Sequence, residues 1–514
     1  MRTSSPPLPV REFSVASFRP TACVLPTESS SSPPGPFYSL PLQSMQSVQS
    51  AQSSPLSESF SMTYKPQWIP SVSPPLTSPY RDAVHAQFLQ VYIPAASTKM
   101  QPSRQIFPRT NLQNIKEIFV SMADGIVQSG QSPMFDNSYL AMQLVFIGRE
   151  RGDMGLINHA TTLYQDTLSL LQKSISGLNE HNIVERWFST TLTVCTCSWL
   201  EVLGLPLKES SASALVHSDI RHTVGSGSLL RRLGTERGKF VPYFLEGVIV
   251  YRAALIFPCL ANRHPSFLAS EPWLYRTLKA ECGDTLPNPM QVLLDDAYQI
   301  PVLMKEFDDA IAEFLVQSDY YTTFGRVKSC LVTLESVDNA IKAWAVENTA
   351  NGEWTSSRWP GAKGSTNTYY SYFDYNEGLA WVYYCTIRLY TIDFHTQVQR
   401  WLAENATSPL EQFAAGLNDT AVAPDYSAED EALARQKLSL ATAILQSVEF
   451  HFDPAHGNTA PSMALAPFRV ATQALVDAMR WPALDSTPHR QRLEWCRRVV
   501  QRYVARGYPY WMWL

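Results

Sequence analysis

The segment LINHATTLYQDTLSLLQKSI, residues 156–175, places apolar side chains at Leu156, Ala160, Leu163, Tyr164, Leu168, Leu171 and Ile175. Steps of three and four bring these onto one side of a helix with about 3.6 residues per turn, so the segment reads as an amphipathic α-helix. Gly177 stands just past the stripe, where a helix C-cap favours it. The same periodicity recurs over 186–203, 241–257, 290–316, 326–347, 377–402, 429–449, 463–479 and 488–505. Strand-like alternation is sustained nowhere. A chain that must bury so many apolar stripes is expected to be all-α, a multi-helix array of packed antiparallel helices. No fixed-period repeat of the tetratricopeptide kind accompanies the pattern. Residues 349–370 and 403–428 read as long surface loops.

The N-terminal region follows another rule. Residues 1–80 hold 20 Ser and 15 Pro. Such a composition buries too little apolar surface to offset chain entropy, so a disordered Ser/Pro-rich segment is expected over 1–105. The folded all-α domain is then expected over 106–514. The charges of residues 1–80 are only Arg2, Arg11, Glu12, Arg19, Glu28, Glu58 and Lys65, which do not make a basic arm for DNA. Over the whole chain of 514 residues, net charge is −5. That balance gives no overall basic footprint for nucleic acid. The opening residues lack the apolar core of a secretory signal, so a reducing compartment with free thiols is expected. The most apolar stretch, 244–261, carries Glu246, Arg252 and Pro258. It falls short of the roughly 20 uninterrupted apolar residues that a membrane helix needs.

Several constellations invite a chemical reading. Cys195 and Cys197 lie two apart in TVCTCSWLEVLG. On a helix that spacing is about 200° around the axis, so the two thiols face opposite ways and are expected to pack rather than share a metal. HFDPAH (His451, Asp453, His456) resembles a metal clip, but its spacing matches no zinc pattern. GTERGKF, 234–240, lacks the hydroxyl after Lys239 that a phosphate loop requires. VGSGSLL, 224–230, has no preceding strand to make a dinucleotide turn. The adjacent acids Asp295–Asp296 and Asp308–Asp309 are expected on solvated helix faces. HRQRLEWCRRVVQRYVAR, 489–506, reads as a basic amphipathic helix. Leu493, Cys496, Val500, Tyr503 and Val504 form its stripe, and Arg490, Arg492, Arg497, Arg498, Arg502 and Arg506 form a solvated face. No catalytic, cofactor, metal or DNA-contact residue is expected, and the chain is not expected to be an enzyme.

The order of segments carries more than any one of them. MQLVFIGRERGDMGLINHATTLYQDTLSLLQKSI is followed by WLEVLG and then by HTVGSGSLLRRLG, with His222, Gly225, Leu229, Leu230 and Gly234. NRHPSFLASEPW follows, with Arg263, Pro265, Phe267, Leu268 and Trp273, and then IPVLMKEFDDA. The end reads MALAPFRVATQALVDAMRW and RLEWCRRVVQRYVARGYP. Over roughly 110–510 the series resembles the helical regulatory region of fungal-specific transcription factors of the zinc binuclear cluster class. The resemblance implies an all-α, non-catalytic module that governs activity and partner contacts. Physically, Gly225 and Gly234 are expected to allow close helix approach and a helix stop, and Pro265 to break the chain before the anchor Phe267–Leu268.

The chain departs from that class in one respect. The DNA-binding module of the class needs six cysteine thiolates within about 30 to 40 residues to share two zinc ions. Here Cys23 stands alone until Cys195, so the zinc cluster is expected to be absent. The expected function is that of a nuclear transcription regulator of a metabolic or secondary-metabolite pathway. It is expected to act through other regulators or a second copy of itself, and to reach DNA only indirectly or through a missing N-terminal module. The alternative is a helical scaffold or small-molecule-binding protein.

Overall fold

Apolar stripes become helices wherever the computed structural model describes the chain: 78–92, 132–202, 222, 225–241, 244–282, 288–317, 319–349, 355–358, 368–372, 375–405, 428–453, 459–479 and 486–506. All of these residues belong to one compact unit. The first helices are α1 (Ser78–Tyr92), α2 (Pro133–Arg151), α3 (Met154–Ser176) and α4 (Ile183–Val202). A helical stretch at 225–233 and a single turn at Thr235–Gly238 lead to α5 (Phe244–Ala261). Next come α6 (Tyr275–Glu281), α7 (Pro289–Ala297), α8 (Gln299–Gln317) and α9 (Tyr320–Thr349). The strands β1 (Thr355–Arg358) and β2 (Thr368–Ser371) precede α10 (Tyr375–Glu404), α11 (Ala428–His451), α12 (Thr459–Ala478) and α13 (Ser486–Ala505).

Two helices organise the core. Helix α2 is buried almost all round, from Met134 to Gly148, and α1, α3 and α4 pack on it. A helix apolar on every side belongs in an interior. Its start is fixed locally: Pro133 stands in the first turn, where its missing N–H costs nothing, and the Ser132 hydroxyl accepts from Phe135 N at 3.4 Å. In the second half, α10 buries Leu379, Val382, Tyr383, Cys385, Ile387, Phe394 and Val398 against α9, α11 and α12. Each such side chain contributes roughly 1.5–3 kcal/mol when fully removed from water.

The structure amends the sequence expectations at several places. Helix α1 lies inside the stretch assigned to disorder, 1–105. Beyond Tyr80 the Ser/Pro composition gives way to a helical pattern, and Val84 and Phe88, four apart, are 0% and 1% exposed. The stripe 290–316 is two helices rather than one. Pro301 lies in the first turn of α8 and lacks the N–H that a continuous helix would need there, so α7 ends at Tyr298. The loop expected over 349–370 contains an antiparallel ribbon, with Thr355 opposite Ser371 and Arg358 opposite Thr368. Apart from its ends, the loop expected over 403–428 lies outside the described residues. Gly177 does cap α3, donating to Lys173 O and Ser174 O, both at 3.1 Å, but in a right-handed conformation that any residue adopts.

Candidate functional site

Helix α11 carries Arg435, Ser439, Thr442 and Gln446 at steps of four, three and four. That spacing makes one polar stripe. Its opposite face, Ala441, Ile444, Leu445 and Val448, is buried in the core. Helix α10 carries Trp381 and Tyr384 at a step of three, and β2 carries Tyr370. Packing of α10, β2 and α13 around α11 brings these residues together at an open cleft of about 480 Å³, with Arg492 of α13 at its edge. A volume of this size suits a small organic molecule.

The aromatic wall is firmly held. Trp381 and Tyr384 stack at 5.0 Å between centroids, and Tyr384 also stacks on Trp344 at 5.7 Å. The Trp344 indole donates to Pro289 O at 2.7 Å, which ties the stack to α7. Tyr372 pins β2, hydrogen-bonding Ser447 of α11 and meeting the Phe450 ring edge-on. Burial pushes the Tyr384 phenol up to about 12, so it stays protonated at neutral pH.

The cationic edge is held as well. Arg492 donates through Nη1 to Thr442 Oγ1 at 3.0 Å, and the Thr442 hydroxyl donates to Leu438 O at 2.7 Å. Partial burial lowers the affinity of the Arg492 guanidinium for its proton, yet among the described residues no carboxylate pairs with it. A guanidinium has five N–H donors, so several remain for another partner. Arg435 pairs with Glu431 one turn away, an exposed ion pair that holds it weakly. The cleft lining contains no His, Cys, Asp or Glu. It offers aromatic faces, hydroxyls and cations, which are groups that bind rather than groups that move protons near neutral pH.

Residues singled out by sequence lie elsewhere. Cys197 is fully buried, whereas Cys195 is half-buried with its sulfur 3.7 Å from Ser226 Oγ. The two thus face different surroundings, as their spacing on a helix requires. His451 is buried against the Phe450 ring, Asp453 is exposed, and His456 lies outside the described residues. No group of three or more His, Cys, Asp or Glu among the described residues is arranged to hold a metal. Lys239 of GTERGKF pairs with Glu236 at 2.7 Å across a single helical turn, and 225–230 of VGSGSLL is helical.

Two expectations are corrected. Asp295 is not on a solvated face. It is 1% exposed and accepts from Arg252 Nη2 at 2.6 Å and from the Tyr275 N–H at 2.7 Å. Arg252, 0% exposed, also donates to Gln291 Oε1 at 3.0 Å and to Trp273 O at 2.8 Å. Every side of this pair is satisfied, which is the condition for tolerating buried charge. Asp296, Asp308 and Asp309 do sit at the surface, paired with Arg276, Arg263 and Lys305. The second correction concerns the basic helix α13. Arg490, Arg497 and Arg498 are exposed, but Arg492, Arg502 and Arg506 turn inward to Thr442, Glu449 and the Phe452 carbonyl. In the apolar stripe, Val499 is buried and Val504 is 39% exposed.

The blocks of the resemblance converge. Phe267 stacks beside Tyr251 and meets Trp273 edge-on at 4.9 Å, with Leu268 fully buried beneath. A Cβ on Gly227 would lie 2.1 Å from the Tyr251 hydroxyl and 3.4 Å from the Phe267 ring. The close approach thus falls at Gly227; at Gly225 the nearest atom would be 4.0 Å away. Gly234, at φ +74, ends the helical stretch as expected.

The cleft residues had no mark of their own in the sequence except the polar stripe of α11, since Trp381 and Arg492 reach it only through packing. No helix among the described residues is long and apolar enough to cross a membrane. Comparison with protein-family models, curated proteins and solved structures gives no match.

Proposed function

We propose that the chain is a helical regulatory module of a transcription regulator, similar to the fungal zinc-cluster class. It works in the nucleus on a metabolic or secondary-metabolite pathway and acts through partner proteins. The observation that carries this reading is the meeting of the two most specific blocks of the resemblance. Residues 222–234 and 262–273 are separated in sequence, yet Gly227, Tyr251, Phe267 and Leu268 form one packed junction. Chance matches to small and apolar residues have no reason to fall on one contact. In this reading the junction is structural, and the aromatic cleft is where a signal enters.

The second reading, a small-molecule-binding protein without a regulatory role, is favoured by the cleft alone. Cell fractionation and affinity purification of the tagged chain separate the two. The regulator reading predicts nuclear accumulation and co-purification with a DNA-binding regulator. A cytosolic chain with a stable non-nuclear partner contradicts it.

A further inference from the structure

We propose that the cleft between α10, α11 and α13 binds a small aromatic carboxylate. Its flat ring lies against Trp381 and Tyr384, and its carboxylate is held by Arg492 and Arg435. The inference rests on reading this cleft as the regulatory input. Three independent features select the ligand. The wall is aromatic and held rigid by the stack on Trp344, which favours a planar partner over a flexible one. The charge is one-sided: two arginines and no carboxylate line the cleft. Arg492 is pre-set, because Thr442 fixes one of its nitrogens and leaves others to grip a carboxylate in the forked geometry that guanidinium favours.

Size narrows the class further. A cleft of about 480 Å³ accommodates a molecule of one or two fused rings. The Arg435–Glu431 pair joins residues one turn apart on an exposed helix face, so Arg435 can turn to an incoming anion at little cost. Ser439 and Gln446, on the same stripe, supply neutral donors and acceptors to a ring substituent.

The test is isothermal titration of the purified full chain with 2-naphthoate, with the uncharged 2-naphthamide and with the saturated decalin-2-carboxylate. Binding of 2-naphthoate is expected, with the amide at least ten-fold weaker and the saturated acid several-fold weaker. Arg435→Gln lies at an exposed position and is expected to leave the melting temperature unchanged while weakening 2-naphthoate several-fold. Arg492→Gln is expected to weaken it at least ten-fold. Failure of 2-naphthoate to bind, equal binding of the amide, or unchanged affinity in Arg435→Gln overturns the proposal. Binding is measured without reference to transcription. A chain that binds 2-naphthoate but proves cytosolic therefore retains the ligand and loses the regulator reading, and a nuclear regulator that ignores 2-naphthoate does the reverse.

Discussion

At the scale of single residues, stability rests on a few contacts with no substitute. Asp295 compensates a guanidinium that is wholly out of water. Replacing it by Ala leaves Arg252 buried and unpaired, and the expected loss is about 3–5 kcal/mol in urea unfolding. A loss under about 1 kcal/mol would show that water reaches the site. At Gly227 an alanine methyl collides with the Tyr251 hydroxyl. Gly227→Ala is expected to cost about 1–3 kcal/mol, whereas Gly225→Ala should be tolerated. The imidazole of His159 is held below its ordinary value by partial burial. The unfolded chain therefore takes up that proton first as pH falls. The stability linked to the neutral ring is whole above about pH 6.5 and is lost on acidification below it. The urea midpoint should drop between about pH 7.5 and pH 5.5, and drop less in His159→Gln; equal drops in both would exclude His159 as the source. None of these roles was legible in the sequence. Asp295 and Asp296 look alike there, and only the approach of α5 and α6 separates a buried ion pair from a surface one.

At the scale of elements, the apolar period was the legible part. Nine stripes spaced by three and four all became helix, because a stripe wide enough to bury needs nothing beyond its own sequence to declare itself. Elements without a contrasting polar face escaped notice. Helix α2 is apolar nearly all round, so it shows no one-sided stripe despite forming the centre of its half. Helix α1 was hidden behind the Ser/Pro tract. It docks through Val84 and Phe88, and its His85 Nδ1 lies 3.2 Å from Tyr139 OH and 3.0 Å from Gln143 Nε2. Phe88→Ala should cost about 3–5 kcal/mol of docking, read as rapid amide exchange confined to α1 while α2 stays protected. Global unfolding instead would mean that α1 is not a separable element. The arginines of α13 teach the same lesson. Charge alone marks a solvated face, yet Arg502 lies 4.1 Å from the centre of the Phe452 ring and pairs with Glu449. Long cationic side chains can clamp a helix as well as solvate it.

At the scale of the whole molecule, the all-α array builds a cleft that no single segment contains. Its walls come from Tyr370, Trp381, Tyr384, Arg435 and Arg492, residues drawn from four elements. Sequence gave no means to find it, since the site depends on which helices neighbour one another. The regulator reading joins that cleft to the junction of Gly227, Tyr251 and Phe267: one offers a signal a place to bind, and the other carries the family likeness. Transcript profiling of a deletion strain complemented with wild-type or Arg492→Gln chain tests the two together. The account predicts that deletion alters a defined set of pathway transcripts under at least one growth condition. Wild type restores that set, and the Arg492→Gln chain, present at equal level, does not. Transcripts unchanged by deletion across several growth conditions would contradict it.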